Sequence, residues 1–222
     1  MLQFYKDPWA HQIVDNFFEA SDFEKISQAC LKLHDRYKDQ VITADSCLSF
    51  AEVYNTIGEE VFNIILKSNR ALLDDIENYP ISRTFDHYVS FPTFHILPPN
   101  ISPQKVHDEA YDKSISVVVY LYPIVSTGTM LYASKDRSSF VKEVEWKTNR
   151  AMIFCGKENV TWHDFYSREE PRVTLNFFVR RLTSTEVGEE HGKYFLKGME
   201  GPKTYMPKEL VNRLTTGILF RL

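Results

Sequence analysis

The sequence predicts a mainly β domain, a sandwich or barrel, with helices packed on one side. Two observations carry this. From about Thr84 to Arg181, short runs rich in Val, Phe, Tyr and Thr alternate with turn residues. Up to about Tyr79, apolar residues instead recur at helical spacing.

Each element follows from its own signals. Gln12–Phe18 reads as a short strand. Ser21 with Glu24 forms a capping box, followed by Phe23, Ile26, Cys30 and Leu33 on one face. Ser49 with Glu52 forms a second box, ahead of Phe50, Val53, Ile57, Val61 and Ile64. Predicted strands are Tyr88–Leu97, Ser114–Tyr122, Thr129–Ala133, Ala151–Cys155 and Arg172–Arg181. Breaks fall at Pro98-Pro99-Asn100, Ser126-Thr127-Gly128, Gly156–Asn159 and Glu169-Glu170-Pro171. The last forty residues hold Gly188, Gly192, Gly198, Gly201 and Gly217, five of the 8 glycines, and Pro207 opens a short predicted helix through Leu214. This tail is too short for its own core. The expected organisation is one domain: residues 1–83 mainly helical support, 84–181 the β core, 182–222 a C-terminal extension.

Composition excludes several classes. Apolar residues at 43% and charged residues at 25% rule out a disordered chain over 222 residues. A net charge of −4 gives no support to nucleic-acid binding. Cys30, Cys47 and Cys155 are too sparse for a disulfide framework or a structural zinc site, and fit a reducing compartment. The longest apolar stretch, Val117–Val125, has nine residues and contains Pro123, less than half a membrane span. Residues 1–7 show no basic region leading into an apolar one. The expected location is cytoplasmic, with no membrane partner.

Among seven histidines, His107 and His163 stand in unusual surroundings. In an extended segment His107 and Glu109 point together and Asp108 points away. A second histidine from another strand would complete two imidazoles and one carboxylate, a donor set suited to non-haem Fe(II). Taken singly, each histidine also reads as an ordinary core or surface residue. Arg172 opens the strand Arg172–Phe178, where alternation sets Arg172, Thr174 and Asn176 against Val173, Leu175 and Phe177. An arginine there is costly to desolvate without an anion, and its planar fork suits a carboxylate that Thr174 can also bind. The competing reading pairs Arg172 with Glu169 or Glu170.

The ordered set His107-x-Glu109, Ser116–Leu121, Gly128, Trp162-His163 and Arg172-x-Thr174 resembles the 2-oxoglutarate/Fe(II)-dependent dioxygenases, in their prolyl-hydroxylase-like branch. Asp7-Pro8-Trp9 and Ile13–Phe18 resemble that branch's N-terminal lead-in, so the likeness spans about residues 7–181. It implies a double-stranded β-helix, a cupin-like jelly-roll, with helices on one sheet. It implies His107, Glu109 and His163 as iron ligands and catalytic centre. It implies Arg172, Thr174 and Tyr120 as the 2-oxoglutarate site, although Tyr120 alone reads equally as a core aromatic. Ser116, Val118, Tyr120 and Tyr122 are expected on one strand face.

The implied reaction is hydroxylation of an unactivated C–H bond, using Fe(II), 2-oxoglutarate and O₂, with ascorbate as an accessory reductant. The implied substrate is a peptide or small molecule, with a prolyl or other amino-acid residue foremost. Two positions depart from the family pattern. Glu109 stands where most members have Asp, moving the oxygen by about one bond length, ~1.5 Å. Leu97 stands where some prolyl hydroxylases have a co-substrate tyrosine. His95, two residues earlier, reads either as lining the same pocket or, the favoured reading, as an ordinary strand histidine. The alternatives are a non-catalytic jelly-roll binding module and a metal-dependent hydrolase. The second lacks paired histidines four apart on a helix, and it leaves Arg172 and Thr174 unexplained.

Overall fold

The computed structural model describes residues 2–43, 48–74, 87–103, 105–109, 113–182 and 219–221. In chain order the elements are β1 (Leu2–Tyr5), β2 (His11–Asp15), α1 (Ala20–Tyr37), α2 (Phe50–Asp74), β3 (His87–Leu97), β4 (Lys113–Tyr122) and β5 (Thr129–Tyr132). They continue with β6 (Phe140–Val144), β7 (Arg150–Phe154), β8 (His163–Asp164), β9 (Arg172–Leu182) and β10 (Leu219–Arg221). Two antiparallel sheets result. The large one runs β1-β2-β7-β4-β9-β3-β10 and the small one β6-β5-β8. The architecture is the jelly-roll, with both helices on one face of the large sheet.

That face explains the helices. Ile26, Cys30 and Leu33 of α1 are fully buried against Ile115, Val117 and Val119 of β4, Val173, Leu175 and Phe177 of β9, and Ile153 of β7. Each such side chain stabilises the fold by about 1.5–3 kcal/mol. The Ser49 capping box forms. The Ser49 amide and hydroxyl donate to Glu52 Oε2 at 2.8 and 2.7 Å, and the Glu52 amide donates back to Ser49 Oγ at 3.2 Å. The helix breaks at Gly58, whose φ of 82° suits a residue without Cβ. The break turns the buried stripe onto Val61, Phe62, Ile65 and Leu72, leaving Ile64 only half-buried. Asn69 fastens α2 to β3: its Nδ2 donates to Ser90 O at 3.3 Å, and Ser90 Oγ donates to its Oδ1.

Several expectations need correction. The Ser21 box does not form, because α1 starts two residues earlier, at Ala20 with Glu19 as its N-cap. Phe23 N–H already donates to Glu19 O at 2.8 Å, so Ser21 lies inside the helix. The first predicted strand stops at Asp15, because Asn16 adopts φ 57° and turns the chain. The segment ahead of α1 therefore contributes two strands to the large sheet, as well as leading into the helices. A register shift between Tyr120 and Tyr122 turns Tyr122 off the inner face, and it packs against His34 of α1. Strands β1, β6, β8 and β10 carry no readable sequence signal. The short helix predicted from Pro207 to Leu214 lies outside the described residues.

The opposite face of the large sheet meets the small sheet. Tyr120, Met152 and Phe154 pack there with Leu131, Val144, Trp146 and Trp9. The candidate site lies between the sheets, beside this cluster.

Candidate active site

β8 supplies His163, and an isolated antiparallel bridge pairs it with His107. Directly opposed residues of an antiparallel pair point to the same side. The two imidazoles lie 4.5 Å apart between centroids. Asp164, next along β8, points elsewhere and pairs with Arg137 at 2.9 Å.

Both rings are oriented alike. His107 Nδ1 sits 2.9 Å from Lys105 O, and His163 Nδ1 sits 2.7 Å from Thr161 O. A carbonyl can only accept, so each Nδ1 carries a hydrogen and each Nε2 is the ring atom left facing away from that carbonyl. Burial first, then His107, pushes the His163 pKa down to about 4, so its ring is neutral near pH 7.

Glu109 is buried, with Oε1 3.9 Å from His163 Nε2. Asp108 turns away and accepts from the Asn159 amide at 2.6 Å. Glu109 Oε1 also accepts from Ser116 Oγ at 2.6 Å, and Oε2 pairs with Lys113 Nζ at 2.7 Å. Burial pushes the Glu109 pKa up, but Lys113, His163 and the hydrogen bonds outweigh it and hold the carboxyl at about 2.

His107, Glu109 and His163 share one cavity of about 390 Å³ with His95, Thr129, Phe165, Arg172, Asn176 and Phe178. Two imidazoles and a carboxylate suit a first-row divalent ion. Neighbouring ligands at about 2.1 Å would stand about 3 Å apart, and the Glu109–His163 separation is wider. Among the described residues, no three such donors are already gathered tightly enough to hold a metal. The donor chemistry of these three side chains fits a metal.

Arg172 is 1% exposed. Its Nε donates to Thr127 O at 3.1 Å and its Nη2 to Thr129 Oγ1 at 3.4 Å. Its guanidinium carbon lies 5.1 Å from the Phe165 ring centre and 5.6 Å from those of Tyr120 and Trp146. Among the described residues no carboxylate stands within ion-pair distance of it. Glu169 and Glu170 are exposed and make no such pair, so the competing reading of Arg172 fails. Burial pushes the Arg172 pKa down to about 10, still charged at neutral pH.

Thr174 shares Arg172's strand face. Its buried hydroxyl and the buried Asn176 Oδ1 have no hydrogen-bond partner among the described residues. Tyr120 stands behind this wall. Its hydroxyl donates to Thr129 Oγ1 at 2.9 Å and approaches Val144 O at 3.3 Å. Of the two sequence readings of His95, the less favoured one holds: it lines the cavity, and both of its buried ring nitrogens lack a partner among the described residues. Burial first, then Arg172, pushes its pKa down to about 3. Leu97 is fully buried opposite Arg172 in the β3–β9 register.

Sequence reasoning missed Lys113, Thr129 and Phe165. Thr129 follows the Gly128 turn, which was a usable signal. Gly128 packs so closely on β6 that a Cβ there would stand 1.8 Å from Val144 O. Lys113 reads as a common strand-start lysine and gives no local signal.

No protein-family model matches the chain, and no curated protein matches it. Solved structures do. A prolyl hydroxylase from Trichoplax adhaerens, in complex with a hypoxia inducible factor oxygen degradation domain peptide fragment, matches at TM-score 0.55 and 14% identity, over 77% of this chain and 83% of that one. A Pseudomonas putida prolyl-4-hydroxylase matches at TM-score 0.51 and 12% identity, over 78% and 93%. The non-heme alpha ketoglutarate dependent epimerase SnoN, from nogalamycin biosynthesis, matches at TM-score 0.51 and 11% identity, over 78% and 77%. The chain has the fold of the 2-oxoglutarate/Fe(II)-dependent dioxygenases, in its prolyl-hydroxylase-like form. At such identities the likeness is one of fold.

Proposed function

We propose that the protein is a 2-oxoglutarate- and Fe(II)-dependent oxygenase that hydroxylates an unactivated C–H bond. The observation that carries this reading is Arg172, a buried cation without an acidic partner among the described residues, in the same cavity as the His107–His163 pair and Glu109. A buried charge without a counter-ion is costly unless a ligand completes it.

His107, Glu109 and His163 would hold Fe(II), which when bound supplies the O₂ chemistry that couples 2-oxoglutarate cleavage to C–H oxidation. The chain's own residues provide binding, orientation and dryness. Arg172 offers its fork to the distal carboxylate, and the unpartnered Thr174 hydroxyl offers a further donor. Tyr120 supports this end indirectly, through Thr129. The rings of Phe165 and Phe178 wall the cavity and limit water. The two Nδ1–carbonyl contacts hold both Nε2 atoms towards one side.

The proposed prime substrate is a peptidyl or free amino-acid residue, with proline first, because the structural neighbours include prolyl hydroxylases. A non-catalytic carboxylate-binding module is the second reading. It is favoured by Glu109 being already engaged by Lys113 and Ser116.

Succinate formation from 2-oxoglutarate, with Fe(II) and O₂, separates the two readings. The oxygenase forms succinate, faster with prolyl peptide, and loses this on His163→Ala. The binding module binds the dicarboxylate without turning it over.

A further inference from the structure

We infer that Lys113 is a built-in counter-cation that competes with a divalent metal ion for Glu109. The inference rests on the metal-centre reading above and goes beyond it. Lys113 Nζ lies 2.7 Å from Glu109 Oε2, and the two side chains are 12% and 5% exposed. The ammonium also stands 4.1 Å from the Phe178 ring centre, a cation–π position inside the cavity. With Ser116 on Oε1, both carboxylate oxygens are engaged by protein donors. The pair is built on a tight seat. A Cβ at Gly156 would stand 2.4 Å from Lys113 O and 3.0 Å from Glu109 Cβ, so these three backbone segments are in close contact.

Two effects of removing Lys113 act in the same direction. Without the metal, Lys113 neutralises a buried carboxylate, and its loss raises the free energy of the metal-free state. With the metal bound, an ammonium a few ångströms from a dication repels it. Both make metal binding tighter in a variant that lacks the charge. The opposing effect, lost orientation of Oε2, is smaller, because Ser116 still holds Oε1. Ser116 is therefore a positioning residue of the opposite sign: its loss frees the carboxylate without removing a competitor.

The test is Mn(II) titration of the full chain, with free Mn(II) read by electron paramagnetic resonance. Lys113→Met should bind Mn(II) about tenfold or more tighter than wild type. Lys113→Arg, which keeps the charge, should bind close to wild type, and Ser116→Ala should bind more weakly. Thermal unfolding gives a second readout: Lys113→Met should melt lower without metal and gain more from saturating Mn(II) than wild type does. If Lys113→Met does not fold without metal, Lys113→Gln, which keeps a donor but no charge, takes its place. Unchanged or weaker Mn(II) binding in the charge-removed variant overturns the inference while leaving the metal centre standing. Absence of Mn(II) binding in wild type and every variant refutes the metal centre, and this inference with it.

Discussion

His107 and His163 exchange both of their backbone hydrogen bonds, His107 N–H to His163 O at 3.0 Å and His163 N–H to His107 O at 2.8 Å. Their side chains therefore sit side by side because the backbone sets them there. Each Nδ1 is tied to the carbonyl two residues earlier in its own chain, so the rings are aimed as well as paired.

It follows that either histidine can be truncated without dismantling the bridge. His107→Ala and His163→Ala should each lose Mn(II) or Fe(II) binding by about 100-fold or more. That is the scale of losing one of three protein ligands, and larger than the 10–100-fold effects of the groups that orient them. Unfolding in urea should shift by only about 1–2 kcal/mol. Metal titration beside urea melts checks this.

Gly156 should be intolerant for a steric reason. Its Cβ would meet the Lys113 carbonyl, which is backbone and cannot rotate aside, and would press on Glu109. Gly156→Ala should cost about 1–3 kcal/mol, the range for overpacking, and weaken metal binding by displacing Glu109. Differential scanning calorimetry and metal titration of the variant measure both.

Asp15 makes stability depend on pH. Arg150 donates to both of its oxygens, at 2.7 and 3.2 Å, and Lys147 donates at 2.9 Å. The Arg150 hydrogen bonds foremost, with Lys147, hold its carboxyl at about 2 against the opposing effect of burial. The folded pKa is depressed, so the stabilisation is present above the ordinary value of 3.8 and is lost as pH falls towards about 2. It amounts to about 2 kcal/mol at neutral pH. Asp15→Asn should destabilise by that amount in urea melts near pH 7, and the gap should close as pH falls from about 5 to about 2.

Tyr120→Phe removes a hydroxyl that touches Thr129, while Thr129 accepts from Arg172. Stability should drop by about 1 kcal/mol, the net value of a buried hydrogen bond. The 2-oxoglutarate affinity should fall by less than about tenfold, because the effect reaches the ligand through Thr129. Isothermal titration with the Thr129→Val variant completes a double-mutant cycle, in which the two losses should be non-additive.

Strand alternation made the site legible where the sheet is regular. Arg172, Thr174 and Asn176 share a face of β9 because period-two geometry leaves no other choice, and Glu109 is buried two residues after His107 although only His107 is bridged to another strand. The failures lie where a local irregularity wins. Tyr122 follows a register shift, Ser21 lost its cap to an earlier first turn, and Gly58 rotated the stripe of α2. Lys113 was illegible, and His95 undecided between its two readings, for a different reason. What matters for each is what faces it across the cavity from residues distant in sequence, and no local pattern records that.

The most direct test of the account is equilibrium binding of 2-oxoglutarate to the Mn(II)-loaded protein, wild type against Arg172→Ala, with metal affinity measured on the same samples. A lost buried carboxylate contact costs about 2–5 kcal/mol. The account therefore predicts binding weaker by roughly 30-fold to several thousand-fold in Arg172→Ala, partial recovery in Arg172→Lys, and nearly unchanged Mn(II) affinity in both. Equal 2-oxoglutarate affinity in wild type and Arg172→Ala would contradict it.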